Sequence, residues 1–348
     1  MKAVAYFGHW RMVFVYSVTH FLVDFACAFL MFRSIAQTPY WYLCILLYNF
    51  CAFAMQMPLG ILADKLNRNY ILAIIGCILV GLAYGFPPIP VVAAVAAGIG
   101  NSLFHLGGGI DVLNISKHGS SALGVFVSPG AWGIYFGAIA GKGSDISSFP
   151  ILAALFVAAG TIYIVYRTYG GTYPENAPFS PDNGTSALLA VICLFLVVCL
   201  RSYVGLAMDF PWKNTGYWGL ALACAVVLGK TAGGFAADRL GVFRAAFFSL
   251  AIAALLFSFS QTPLPGVSAV FLFNMTMPVT LWVMAGIFPG AKGFSFGLLT
   301  FGLFLGFLPV YFGVYIPPDT YWPFTLAAIV SLILVSIGIR KANLWSGR

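Results

Sequence analysis

The chain has 348 residues, of which 61% are hydrophobic and 7% charged, with mean hydropathy +0.96 and net charge +8. A soluble surface carries about a quarter charged residues, so a water-soluble globular domain is excluded. The basic residues are scattered, with no run longer than two, which excludes a nucleic-acid partner.

A spanning helix needs about 20 mostly apolar residues. Breaks at Pro, Gly and charge clusters divide the chain into twelve expected spans: 11–33, 40–63, 70–86, 90–115, 120–141, 148–167, 186–208, 215–237, 243–260, 266–288, 293–313 and 320–340. The expected fold is therefore an all-α polytopic membrane protein. The first ten residues, MKAVAYFGHW, lack the long apolar core and small-residue cleavage site of a signal peptide. The first span is therefore expected to be a retained anchor.

The first span contains SVTHFLVDFACAFLMF, where His20 and Asp24 interrupt an apolar run. Four residues apart, they share one helix face about 6 Å from each other along the axis. Imidazole beside carboxylate makes a proton-accepting pair. An ionisable group at the bilayer centre persists only with a partner or a wet cavity. The second span ends in GILADKLNRN, which holds Asp64, Lys65 and Arg68. The fourth carries GIGNSLFHLGGGID, with Asn101, His105 and Asp111. The fifth carries GVFVSPGAWG and a stripe of Gly133, Gly137 and Gly141, a spacing that lets helices approach closely.

After the sixth span, TYGGTYPENAPFSPDNGT (168–185) reads as a tether. The expected division is an N-terminal half, 1–167, that linker, and a C-terminal half, 186–348. In the seventh span lie Arg201 and Tyr203; Arg201 is some fifteen residues in, too deep for easy snorkelling. Lys230 in the eighth span is close enough to its end to snorkel. That span closes in GGFAADRLGVFR, with Asp238, Arg239 and Arg244. The tenth holds Asn274 and Trp282, and the eleventh repeats glycines at 293, 297, 302 and 306.

With the N-terminus in the cytoplasm, twelve basic residues fall inside and three outside (Arg33, Lys142, Lys213). This predicts an even number of spans, both termini cytoplasmic, and a cytoplasmic-membrane location. Asp64 and Asp238 are 174 residues apart, half the chain, and Asn101 and Asn274 nearly correspond. Such internal repetition marks transporter folds built from repeats. The seven cysteines all lie in apolar segments without a CxxC and read as small core residues.

These residues resemble the major facilitator superfamily. Its hallmark between helices two and three is matched by Gly60, Leu62, Ala63, Asp64, Lys65 and Arg68, with Asn67 for a glycine and Asn69 for a base. A second copy keeps Gly234, Ala237, Asp238, Arg239, Gly241 and Arg244. The resemblance covers the whole chain and implies two pseudo-symmetric six-helix bundles. The runs SVTHFLVDF and GIGNSLFH look like the superfamily's fosmidomycin-resistance branch. The sequence departs from that branch at Leu106 and Gly107, where it has Pro and often Glu. Gly124, Pro129 and Gly133 resemble the antiporter motif, which implies a kinked, thinned fifth helix, with Ser128 and Trp132 replacing glycines.

By that resemblance, helices one, four, seven and ten line a central cavity. His20, Asp24, Asn101, His105, Arg201, Tyr203, Asn274 and Trp282 then form a proton-coupling and substrate set. Arg201 is expected to face Asp24, bind an anionic substrate group, or alternate between them. Asp64, Lys65, Arg68, Asp111, Asp238, Arg239 and Arg244 would be gate residues. Asp64 would meet the start of helix eleven, and Arg68 would bond Asp111.

The implied function is secondary active transport of a small organic solute by a monomer, with proton-coupled export favoured by the likeness to efflux proteins. The run Gly107–Gly109 lacks the Gly-Lys-Ser/Thr ending of a phosphate loop, so neither ATP drive nor any cofactor is expected. One alternative is a divalent-metal transporter using His20, Asp24 and His105 as ligands, although no resident metal is expected. Another is an intramembrane His/Asp enzyme, for which the HxxxD run lacks a glutamate base or HExxH spacing.

Overall fold

The computed structural model describes residues 2–143, 146–169, 185–317 and 320–342. The expected linker 168–185 lies almost entirely outside them. The described residues form helices joined by short connections. Ten helices are long and apolar enough to cross a membrane, and two shorter apolar helices complete twelve.

In chain order, α1 runs Lys2–Leu30 and continues as a π-helical turn, Met31–Ile35. α2 is Trp41–Leu66, α3 Asn69–Ala83, α4 Pro90–Ile115, α5 Ser121–Gly143 and α6 Phe149–Tyr169. α7 is Thr185–Ala207, α8 Trp218–Leu240, α9 Val242–Phe257, α10 Pro263–Ile287, α11 Lys292–Tyr311 and α12 Trp322–Lys341. All twelve expected spans are present. α3 and α9 are shorter than expected, and they occupy the same place in the two repeats.

Three of the spans are interrupted, among them the fifth, where the likeness to the antiporter motif implied a kink. α2 contains a π-helical turn at Phe50–Ala54. α5 breaks at Ser128, just before Pro129. α10 breaks at Met275, between Pro263–Asn274 and Thr276–Ile287. Proline has no N–H for the carbonyl four residues earlier. For Pro129 that carbonyl is Val125, and for Pro278 it is Asn274, so each break falls where a helical bond is missing.

The chain divides into two compact units. One comprises Met1–Lys117, Val125–Phe179 and Gly290–Gly297; the other comprises His118–Gly124, Ser180–Pro289 and Leu298–Arg348. Within the first, α3 packs on α4 and α6, α2 on α4, and α1 on α6 and the second part of α5. Within the second, α9 packs on α10 and α12, α8 on α10, and α7 on α12. Adding six to each number of the first set, the α1–α5 pair aside, reproduces the second, so the sequence repeat is also a packing repeat.

The α1–α5 contact is glycine-dependent. A Cβ at Gly133 would land on the Phe21 carbonyl oxygen, and one at Gly137 on that of Phe25. The Gly133–Gly137 stripe therefore brings two backbones together at successive turns.

Candidate functional site: a buried His–His–Asp cluster

The break in α5 sets up the site. The Val125 carbonyl, deprived of a donor by Pro129, lies 3.3 Å from the Ser17 hydroxyl, whose hydrogen goes to the Val13 carbonyl at 2.6 Å. One residue on, the Phe126 carbonyl receives His20 Nδ1 at 2.7 Å. Gly130 follows directly. A Cβ there would collide with His20 Nε2 and Asp24 Oδ2, so only glycine leaves room for both side chains.

His20 and Asp24 come from α1, Asn101 and His105 from α4. All four are buried, with residual exposures of 5, 7, 1 and 8%. Asn101 Nδ2 donates to Asp24 Oδ1 at 2.8 Å. His20 Nε2 lies 3.2 Å from Asp24 Oδ2, and His105 Nε2 lies 3.7 Å from Asp24 Oδ1. The two Nε2 atoms are 2.8 Å apart, with the rings edge to face. His105 Nδ1 is 2.8 Å from the Asn101 carbonyl. Phe104 and Phe126 flank His20, while Cys27 sits 3.9 Å from Asn101 Nδ2.

The partners assign the tautomers. A carbonyl only accepts, so Nδ1 carries the hydrogen in both rings. In neutral rings both Nε2 atoms would then present lone pairs to each other and to a carboxylate. Three acceptors this close repel one another unless a proton or a cation lies among them. One proton shared between the imidazoles bridges the two Nε2 atoms and balances the Asp24 charge. Imidazole and carboxylate also suit a divalent transition-metal ion, and the candidate ligand atoms lie within 4.8 Å of one another.

Below this cluster, Tyr16 donates to Asp111 Oδ2 at 2.7 Å and Asn69 Nδ2 to Asp111 Oδ1 at 2.8 Å. Asp64 accepts the Gly293 and Phe294 amides, at 2.7 and 2.9 Å, at the start of α11. Beside it Lys292 reaches Asn114 Oδ1 at 2.7 Å. Gly60 allows that approach, since a Cβ there would fall on the Gly293 carbonyl. In the second unit Asp238 accepts the Ser120 and Ser121 amides, at 2.6 and 3.0 Å, at the start of α5. Each repeat thus sets an aspartate against unsatisfied amides at a helix start, where negative charge is favoured.

No family model and no curated protein sequence matches the chain. Solved structures do. FucP, a major facilitator superfamily transporter described as the E. coli fucose:proton symporter, aligns over 95% of this chain and 99% of its own, with TM-score 0.63 and 13% identity. A bacterial homologue of the iron transporter ferroportin covers 97% of this chain and 100% of its own, with TM-score 0.64 and 14% identity. The human organic anion transporter MFSD10 covers 97% of each chain, with TM-score 0.61 and 15% identity. This is the major facilitator superfamily fold.

Within that fold, the expected substrate set divides by unit. His20, Asp24, Asn101 and His105 meet in the first. In the second, Arg201 is buried beside Thr280. Asn274 Nδ2 bonds the Val270 carbonyl of its own helix at 2.9 Å, and Tyr203 and Trp282 are half-buried. Lys65, Arg68, Arg239 and Arg244 are exposed. Where Arg68 was expected to bond Asp111, its neighbour Asn69 does so. Sequence reasoning missed the Phe126 carbonyl, Gly130, Asn69 and the Ser120–Ser121 amides. The Pro129 break was the available signal for the first two.

Proposed function

We propose that the chain is a secondary transporter that moves a small organic solute by alternating access and couples this to protons, in the export direction. Its site of action is the cytoplasmic membrane, as a monomer with both termini cytoplasmic; the excess of basic residues on that side supports the orientation. The six-helix halves, 1–167 and 186–348, supply the alternating bodies. The likeness of the α1 and α4 runs to efflux proteins supports export.

The observation that carries the coupling is the 2.8 Å approach of two Nε2 atoms beside a carboxylate. Loaded with a proton, the cluster is neutral and closed. Without it, three acceptors repel and the α1–α4 contact loosens. A site whose geometry depends on occupancy by one proton is what coupling requires, because the ion must bind the alternative states differently. The Asp24 charge supplies the drive, so Asp24→Asn uncouples.

The test begins with a solute panel scored by thermal stabilisation of the purified protein, followed by flux of each hit in liposomes. Asp24→Asn is expected to keep counterflow exchange and lose accumulation driven by a pH gradient. Accumulation by that variant under a pH gradient alone refutes the proposal.

A second reading, a divalent-metal transporter, is favoured by the same donor set. Stabilisation by Zn²⁺ or Mn²⁺, lost in His105→Ala, with no organic hit, would select it.

A further inference from the structure

We propose that Arg201 is a binding site for an organic anion, so that the solute class is molecules bearing a carboxylate or a phosphate group. This rests on the transporter reading and deepens it.

Arg201 lies six residues before the end of α7, about 9 Å along the helix. At 8% exposure its side chain is enclosed by protein and does not reach out to water. Its contact is a single long one, Nη1 to Thr280 Oγ1 at 3.5 Å. That hydroxyl donates its own hydrogen to the Met277 carbonyl at 2.9 Å. A guanidinium has five N–H donors, so four are left over.

The other buried charges of the described residues are treated differently. Asp24 has Asn101 and two imidazoles. Asp64 has two amides, and Asp111 has a phenol and an amide side chain. Among the described residues no carboxylate pairs with Arg201. Enclosing a permanent charge without a counter-charge is strongly unfavourable. A sequence that keeps one there supplies the missing anion from outside.

The residue type narrows the ligand. Guanidinium is a flat, weakly hydrated fork whose parallel N–H bonds match the two oxygens of a carboxylate or phosphate. Ammonium is a compact point charge without that match. An organic cation would be repelled, and a neutral sugar would leave the charge uncompensated. The neutral Thr280 hydroxyl beside the fork leaves its full positive charge to the ligand.

The test uses the full-length protein in detergent micelles, with acetate, succinate and methyl phosphate as probes and choline and glucose as controls. Binding is read as thermal stabilisation against concentration. At least one anion is expected to bind, and neither control. Arg201→Lys, which keeps the charge, is expected to weaken that binding at least tenfold, and Arg201→Gln to abolish it. Should Arg201→Gln not fold, the Lys variant decides alone. Absence of binding by all three anions overturns the proposal, as does binding of a control in their place, or anion binding unchanged in Arg201→Lys. No membrane gradient enters this assay. Failed flux in liposomes would sink the transporter reading and leave anion binding standing. Lost anion binding would sink this site and leave proton-coupled flux of another solute standing.

Discussion

Replacing Gly130 by alanine separates the packing of α1 against α5 from the chemistry of the cluster. A Cβ at Gly130 would meet His20 Nε2 and Asp24 Oδ2, while one at Gly137 would meet the Phe25 carbonyl. Both substitutions overfill the same helix contact, which costs about 1–3 kcal/mol. Gly130→Ala alone also forces His20 away from His105 and Asp24. A charge-assisted hydrogen bond contributes about 1.5–3 kcal/mol. Gly137→Ala should therefore destabilise by about 1–3 kcal/mol, and Gly130→Ala by about 2.5–6 kcal/mol. Reversible unfolding in mixed micelles measures both, with circular dichroism confirming helical content. Equal losses for the two variants would mean that the cluster contributes nothing beyond packing.

Asp64→Asn removes the charge from the acceptor of the Gly293 and Phe294 amides, and Asp238→Asn does the same at Ser120 and Ser121. Each is expected to cost about 1–2 kcal/mol locally, read as roughly five- to thirty-fold faster hydrogen exchange of those amides; unchanged exchange would contradict the helix-start role. Tyr16→Phe leaves Asp111 with Asn69 and should cost about 1.5–3 kcal/mol in the same unfolding assay. A loss below about 0.5 kcal/mol, the size of an ordinary surface change, would show that the buried hydroxyl does not hold the carboxylate.

Hydropathy made the twelve spans legible, because lipid demands a long apolar run for each crossing. The pairing of His20 with Asp24 was equally legible, since i,i+4 spacing puts both on one face at any tertiary arrangement. His105 was visible as a misfit in α4, but its 2.8 Å approach to His20 was not. That distance depends on how closely α1, α4 and α5 pack, and close packing comes from glycines whose partners lie about a hundred residues away. The kink of α5 was legible in the likeness of Gly124, Pro129 and Gly133 to the antiporter motif, whereas Pro278 in α10 lies in an apolar run that looks continuous to a hydropathy scale. Asn69 replaced a base in the sequence hallmark; its role emerges only when α3 packs against α4 and sets its amide on Asp111.

The shared proton itself can be observed. Selective ¹⁵N labelling of histidine gives signals from His9, His20, His105 and His118, assigned by single substitutions. Toward the acidic end of the range in which the protein stays folded, His20 Nε2 and His105 Nε2 should show a coupling across one bridging proton. Both Nδ1 atoms should carry their own hydrogens, and Asp24→Asn should weaken the bridge. A ring found with its hydrogen on Nε2 and a bare Nδ1, or no coupling at any pH of the folded protein, would contradict a proton-loaded His20–His105–Asp24 site.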